Sequence, residues 1–126
     1  MNKKILIVED EEEVLMLLAD SLKRLNFTIE TSANGKDAIK KIDTFAPDLI
    51  LLDIMLPEMN GLEVLKWVKK NKPDIFVMLA TAKKEIEDLQ SGYALEADYY
   101  VTKPYTIEEI LKGINIMFSF RESHLN

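Results

Sequence analysis

The chain has 126 residues, which suits one domain with a single core and is short for two. Hydrophobic residues make up 48% and charged residues 30%, an ordinary globular balance, and a net charge of -6 argues against nucleic acid or an anionic membrane surface as a direct partner. With no cysteine, disulfide and thiolate chemistry are excluded, and the one histidine, His124, supplies neither a triad nor a histidine metal site.

The opening "MNKKILIVEDEEE" has an apolar run of only four residues. That is too short for a signal h-region or a membrane span, so a cytoplasmic location is expected. Ile5 to Val8 is short, branched and continuous, as a buried strand is. Val14, Leu15, Leu18, Leu22 and Leu25 then recur at helical steps. "FTIET" from Phe27 alternates and is more polar, which predicts an edge strand. Asn34-Gly35 turns the chain into a second helix with Ala38, Ile39, Ile42 and Phe45 on one face. Leu49 to Leu52 is a third strand, closed by Asp53, and Leu62, Leu65 and Val68 give a third helix its stripe. "IFVMLAT" from Ile75 is a fourth strand. A less regular fourth helix carries Ile86, Leu89 and Tyr93. "DYYVTKPY" holds a fifth strand, and Ile107, Ile110, Leu111, Ile114 and Phe118 line a last helix.

Strand and helix alternating in this way, with several strands apolar on both faces, predict an α/β fold: a parallel sheet covered by helices on both sides. Right-handed crossovers make it open and doubly wound, and such sheets bind ligands outside the carboxyl ends of their strands. Those ends are informative. The first is followed by Glu9-Asp10, the third ends on Asp53, the fourth on Thr81-Ala82, and the fifth runs into Lys103-Pro104. Each piece alone has an ordinary explanation, as a helix cap, a turn or a solvated charge. Together they bring three acids, a hydroxyl and an ammonium to one edge. Unpaired carboxylates there would raise one another's pKa, and a hard cation such as Mg2+ removes that conflict.

These residues, in "ILIVEDEEEV", "PDLILLDIMLPEMNGLEVL", "VMLATA" and "ADYYVTKPY", are those of a known family. The chain resembles a response-regulator receiver domain of two-component signalling, in the CheY-like superfamily, over essentially its whole length. The resemblance implies a flavodoxin-like strand order 2-1-3-4-5, a receiver domain over 1–121, and a C-terminal tail or linker start over 122–126. It makes Asp53 the phosphoryl acceptor, a nucleophile at the open mouth of the sheet and not a buried charge, with a histidine kinase phosphohistidine as donor. Asp10 and Asp53 would hold Mg2+ (Mn2+ being able to substitute) with the backbone carbonyl of Met55, and Glu9 would act through water. Lys103 would pair with Asp53 and then with the phosphoryl group, and Thr81 would bind a phosphoryl oxygen. Tyr100 matches the aromatic switch position, turning in once Thr81 has moved. Lys103-Pro104 matches a bond that is usually cis in the family.

The same resemblance carries further expectations. Met55 and Lys83 occupy positions that tune the lifetime of the phosphorylated form. The partners are a sensor histidine kinase or phosphotransfer protein, a downstream effector protein or domain, and a phosphorylation-dependent homodimer, with no direct nucleic acid and no membrane. The output surface is the fourth helix, fifth strand and last helix. By a helical wheel, Ile116 and Phe120 fall opposite the buried stripe of that last helix and form a candidate docking patch. The chain is expected to be a switch rather than an enzyme. Two alternatives are a phosphorylation-independent pseudo-receiver and a Mg2+-dependent aspartyl-phosphate phosphohydrolase. The second usually needs an Asp two residues after the nucleophile, where this chain has Met55.

Overall fold

The computed structural model describes residues 2–82 and 96–125. Five strands, β1 (Lys4–Val8), β2 (Thr28–Ser32), β3 (Leu49–Asp53), β4 (Phe76–Ala82) and β5 (Tyr99–Lys103), form one sheet in the order β2-β1-β3-β4-β5, every neighbouring pair parallel. The described residues also hold four helices: α1 (Glu12–Arg24), α2 (Gly35–Phe45), α3 (Gly61–Asn71) and α4 (Ile107–Leu125). The helix expected around Ile86, Leu89 and Tyr93 lies outside the described residues, and so does Lys83.

The apolar strands explain the layering. Successive side chains point to opposite faces, so a continuous apolar run feeds two cores. Ile5, Ile7, Leu49, Leu51 and Met78 pack beneath α1 and α4. Leu6, Val8, Ile50, Leu52 and Leu79 pack beneath α2 and α3. Strand β2 is the more exposed edge, as its alternation predicts. Asn34 and Asn60 start α2 and α3 by accepting the N–H of Asp37 at 2.7 Å and of Glu63 at 3.0 Å, which satisfies donors that a helix start leaves open.

The helix stripes are wider than their sequence pattern. Ala19, Val64 and Met117 are buried beside the expected residues, whereas Leu25 is exposed, because it caps α1 where the chain turns through Asn26 at a φ of 70°. Helix α4 continues to Leu125. Its far end is fastened by Arg121, whose guanidinium lies 4.0 Å from the centre of the Phe76 ring and donates to the Asp74 carbonyl. Among the described residues no helix is long and apolar enough to cross a membrane.

Candidate functional site

Strand parity decides which side chains meet at the carboxyl edge. Glu9, Asp53 and Lys103 follow Ile7, Leu51 and Val101 by two residues and so share the α1/α4 face, while Thr81 follows Leu79 onto the other. Lys103 Nζ donates to Asp53 Oδ2 at 2.8 Å and lies 3.7 Å from Glu9 Oε1. The N–H of Met55 donates to Asp53 Oδ1 at 3.2 Å, and that of Glu11 to Glu9 Oε2 at 3.3 Å. Asp10 completes the group: one carboxylate oxygen from each of Glu9, Asp10 and Asp53 lies within 4.8 Å of the others.

Asp53 is more deeply set than an acid at an open mouth. It is 4% exposed and Glu9 is 3% exposed, so only Asp10 of the three faces solvent freely. The loop after β3 folds back over the strand end, where the Gly61 N–H donates to the Ile54 carbonyl at 2.8 Å. Glycine is required there, since a Cβ at position 61 would overlap the Asp53 carbonyl oxygen. Burial of Asp53 is tolerated because Lys103 and the Met55 N–H supply the interactions that water would.

Crowding sets the electrostatics. Burial, reinforced by the hydrogen bonding and charge of Asp53, pushes Glu9 up to about 7, against the pull of the Glu11 N–H and Lys103. For Lys103 burial works the other way, but its hydrogen bond to Asp53 and the two carboxylate charges prevail and hold the ammonium above its ordinary value. Tyr105 was not singled out from the sequence, although it directly follows Lys103-Pro104. Burial and then the charge of Glu9 push its phenol up to about 12. Beside it opens a groove of about 430 Å³ lined by Glu9, Val14, Leu17, Lys103, Tyr105 and Ile107. The Lys103-Pro104 peptide bond is cis.

Residues 5–115 match the family of the response regulator receiver domain. The chain belongs to that family. It is 44% identical over 110 residues to the alkaline phosphatase synthesis transcriptional regulatory protein PhoP of Bacillus subtilis, a match covering 87% of this chain and 46% of PhoP. To the response regulator ArlR of Staphylococcus aureus it is 37% identical, covering 88% of this chain and 50% of ArlR. It thus spans about half the length of the curated relatives it matches. Among solved structures, a CheY-like receiver domain protein from Methanospirillum hungatei superposes with a TM-score of 0.90 at 28% identity, over 98% of this chain and 99% of that one. The response regulator TrrA of Thermotoga maritima, solved in complex with Mg2+-BeF, gives 0.81 at 35% identity over 90% and 96%.

The other expected residues of the receiver domain fall as follows. Thr81 ends the interior run of β4, is buried and pairs in register with Thr102. The Tyr100 ring packs on the α2/α3 layer, and its hydroxyl oxygen is buried with no hydrogen-bond partner among the described residues. Strand β5 ends the sheet and sets Tyr100 in register with Leu79 of β4. Met55, two residues after Asp53, is 62% exposed. Ile116 and Phe120 are exposed on α4, as the wheel predicts.

Proposed function

We propose that Asp53 accepts a phosphoryl group from a phosphohistidine on a sensor histidine kinase or phosphotransfer protein, and that the modified receiver domain then switches a partner-binding surface. The observation that carries this reading is the 2.8 Å pair between Lys103 and Asp53 at the centre of three carboxylates. An Asp53 oxygen forms a bond to phosphorus as the phosphorus–nitrogen bond breaks. The imidazole nitrogen leaves with that electron pair.

The donor set suits Mg2+: three carboxylates whose oxygens converge, with one ammonium to offset them. Asp10, Asp53 and the Met55 carbonyl would hold the ion, with Glu9 acting through water, and Mn2+ would take the same oxygen ligands. When bound, the ion supplies neutralising charge for the phosphoryl oxygens. The Mg2+-BeF complex of TrrA, a similar protein, supports this reading.

The work of the protein's own groups is positioning and electrostatics. Lys103 holds Asp53 in place and then follows the negative charge onto the incoming oxygens. The acyl phosphate carries about -2 charges by analogy with other phosphorylated side chains. The Thr81 loop is drawn inward from the other face, and the Thr81 hydroxyl then donates to one of the phosphoryl oxygens. Charged hydrogen bonds contribute about 1.5–3 kcal/mol each, and a full population reversal takes about 5.5 kcal/mol, so two or three new bonds are of the right order. Tyr100 and the exposed Ile116–Phe120 patch give that switch a surface for an effector or a second phosphorylated copy, and the setting is the cytoplasm.

The apolar Met55 shields the acyl phosphate from water, which favours a long-lived phosphorylated form. The test is a time course with phosphoramidate, a small donor with the same phosphorus–nitrogen bond. Asp53→Asn is expected to abolish phosphorylation and Lys103→Ala to slow it at least about tenfold. Equal rates in wild type and both variants would overturn the reading.

A further inference from the structure

Strand β2 is one edge of the sheet, and the backbone on its outer side is covered by side chains. In a parallel ladder alternate residues turn their N–H and C=O groups to the neighbouring strand, and the residues between them turn away. The Thr28 N–H donates to the Lys3 carbonyl, and the Ser32 carbonyl accepts the Glu9 N–H. Thr28, Glu30 and Ser32 therefore face β1, and Ile29 and Thr31 point their backbone groups out of the sheet. Such outward groups are a template for another strand.

Thr31 does not leave its groups open. Its N–H donates to Oε1 of the Glu30 side chain at 3.0 Å, and its carbonyl accepts Nζ of Lys41 from α2. Lys41 is itself held in place. Its Nζ lies 3.1 Å from Asp37 Oδ2, one turn earlier in α2, and 3.8 Å from Glu30 Oε1. Asp37 is fixed in turn by Ser32, whose buried hydroxyl donates to Oδ2 at 2.8 Å. One ammonium and two carboxylates thus gather over a single edge residue. Half-exposed ion pairs add little to stability, and ordering long side chains costs entropy, so the arrangement calls for another reason.

We propose that Lys41 and Glu30 keep the outer edge of β2 from pairing with the same edge of a second copy of this chain. A second copy is the fitting occupant because the strand is complementary to itself. About a two-fold axis at Glu30, two β2 strands run antiparallel with Ile29 of each opposite Thr31 of the other, so outward groups meet outward groups. That pairing would join two sheets into one, and it cannot form while Glu30 and Lys41 occupy the Thr31 N–H and carbonyl. Being isologous, it would close at a dimer.

The test is sedimentation velocity of the full chain across concentration. Lys41→Met keeps the aliphatic stem and frees the Thr31 carbonyl, and Glu30→Ala frees the Thr31 N–H. Each is expected to dimerise at least about tenfold more tightly than wild type, since a charged hydrogen bond no longer competes with the pairing. The double variant should dimerise more tightly still. Adding Ile29→Pro to it removes an outward N–H without touching the bonds to β1, and should return association to the wild-type level. Circular dichroism melts check that the variants fold. Amide exchange followed by NMR reads the edge without the proline: in the double variant the Ile29 and Thr31 N–H groups should exchange more slowly as concentration rises. Strand β5 is the opposite edge of the sheet, so a dimer formed there leaves these amides unchanged. Lys41→Met and Glu30→Ala variants that associate no more than wild type would overturn the proposal. So would association that leaves the Ile29 and Thr31 exchange rates as they were.

Discussion

Glu9 makes the metal-free protein's stability depend on pH in an uncommon direction. Its carboxyl is pushed from 4.5 up to about 7, mainly by burial and then by Asp53. A carboxylate raised on folding binds more protons in the native than in the unfolded state between those two values. Stability is therefore greatest below about 4.5 as far as this group is concerned, and falls as pH rises through the window to about 7. At about 1.36 kcal/mol per pKa unit the loss is on the order of 3 kcal/mol. For a chain of this size that is roughly 10 °C in Tm. The other perturbed groups act elsewhere: Asp37, held down by its Ser32 hydrogen bond, matters below 3.8, and Lys103, Tyr100 and Tyr105 titrate in the alkaline range. Urea unfolding in EDTA at pH 5, 6 and 7.5 measures the effect. Wild type should lose stability across the series. Glu9→Gln removes the titrating group and should flatten it, leaving the variant the more stable at pH 7.5. A slope unchanged by Glu9→Gln, or a wild-type stability that rises from pH 5 to 7.5, would show that Glu9 is not the group responsible.

The remaining predictions address the framework around that carboxyl. Gly61→Ala should cost about 1–3 kcal/mol in urea unfolding, because its Cβ would press on the Asp53 carbonyl oxygen and neither backbone can give way. A loss below a few tenths would show that the loop relaxes freely. Tyr100→Phe removes a buried hydroxyl without a partner among the described residues and should be neutral or stabilising by about 1 kcal/mol; a clear loss would mean that the oxygen is satisfied. Arg121→Ala should lower the urea midpoint by an amount equivalent to about 0.5–2 kcal/mol, through the lost Phe76 stacking and Asp74 bond. An unchanged midpoint would show that the end of α4 is held by its apolar contacts alone.

Strand identity was legible because the apolar runs are short and bounded, and the gathering of strand ends at one edge followed from parallel topology, whereas the strand order came only from the resemblance to receiver domains. Alternation also sends Glu9, Asp53 and Lys103 to one face, although only the structure gives their distances. What sequence could not supply was depth. Asp53 looked like a carboxylate at an open rim, yet the fold of the loop at Gly61 and the reach of Lys103 bury it. Those are long-range contacts with no local signature. Tyr105 was missed for the same reason, since a tyrosine after Lys-Pro reads as surface until Glu9 is placed beside it. Ala19, Val64 and Met117 were missed because each helix sits in a groove wider than a single stripe. Leu25 was overcounted because a helical wheel does not know where α1 stops.

Asp53 as the phosphoryl acceptor of a metal-assisted receiver domain stands or falls on intact mass after incubation with acetyl phosphate. Wild type and Asp53→Asn are each incubated with Mg2+ and with EDTA. Wild type with Mg2+ should gain one phosphoryl group, with none gained in EDTA or by the variant. A phosphoryl group gained by Asp53→Asn to the same extent as by wild type would show that Asp53 is not the acceptor.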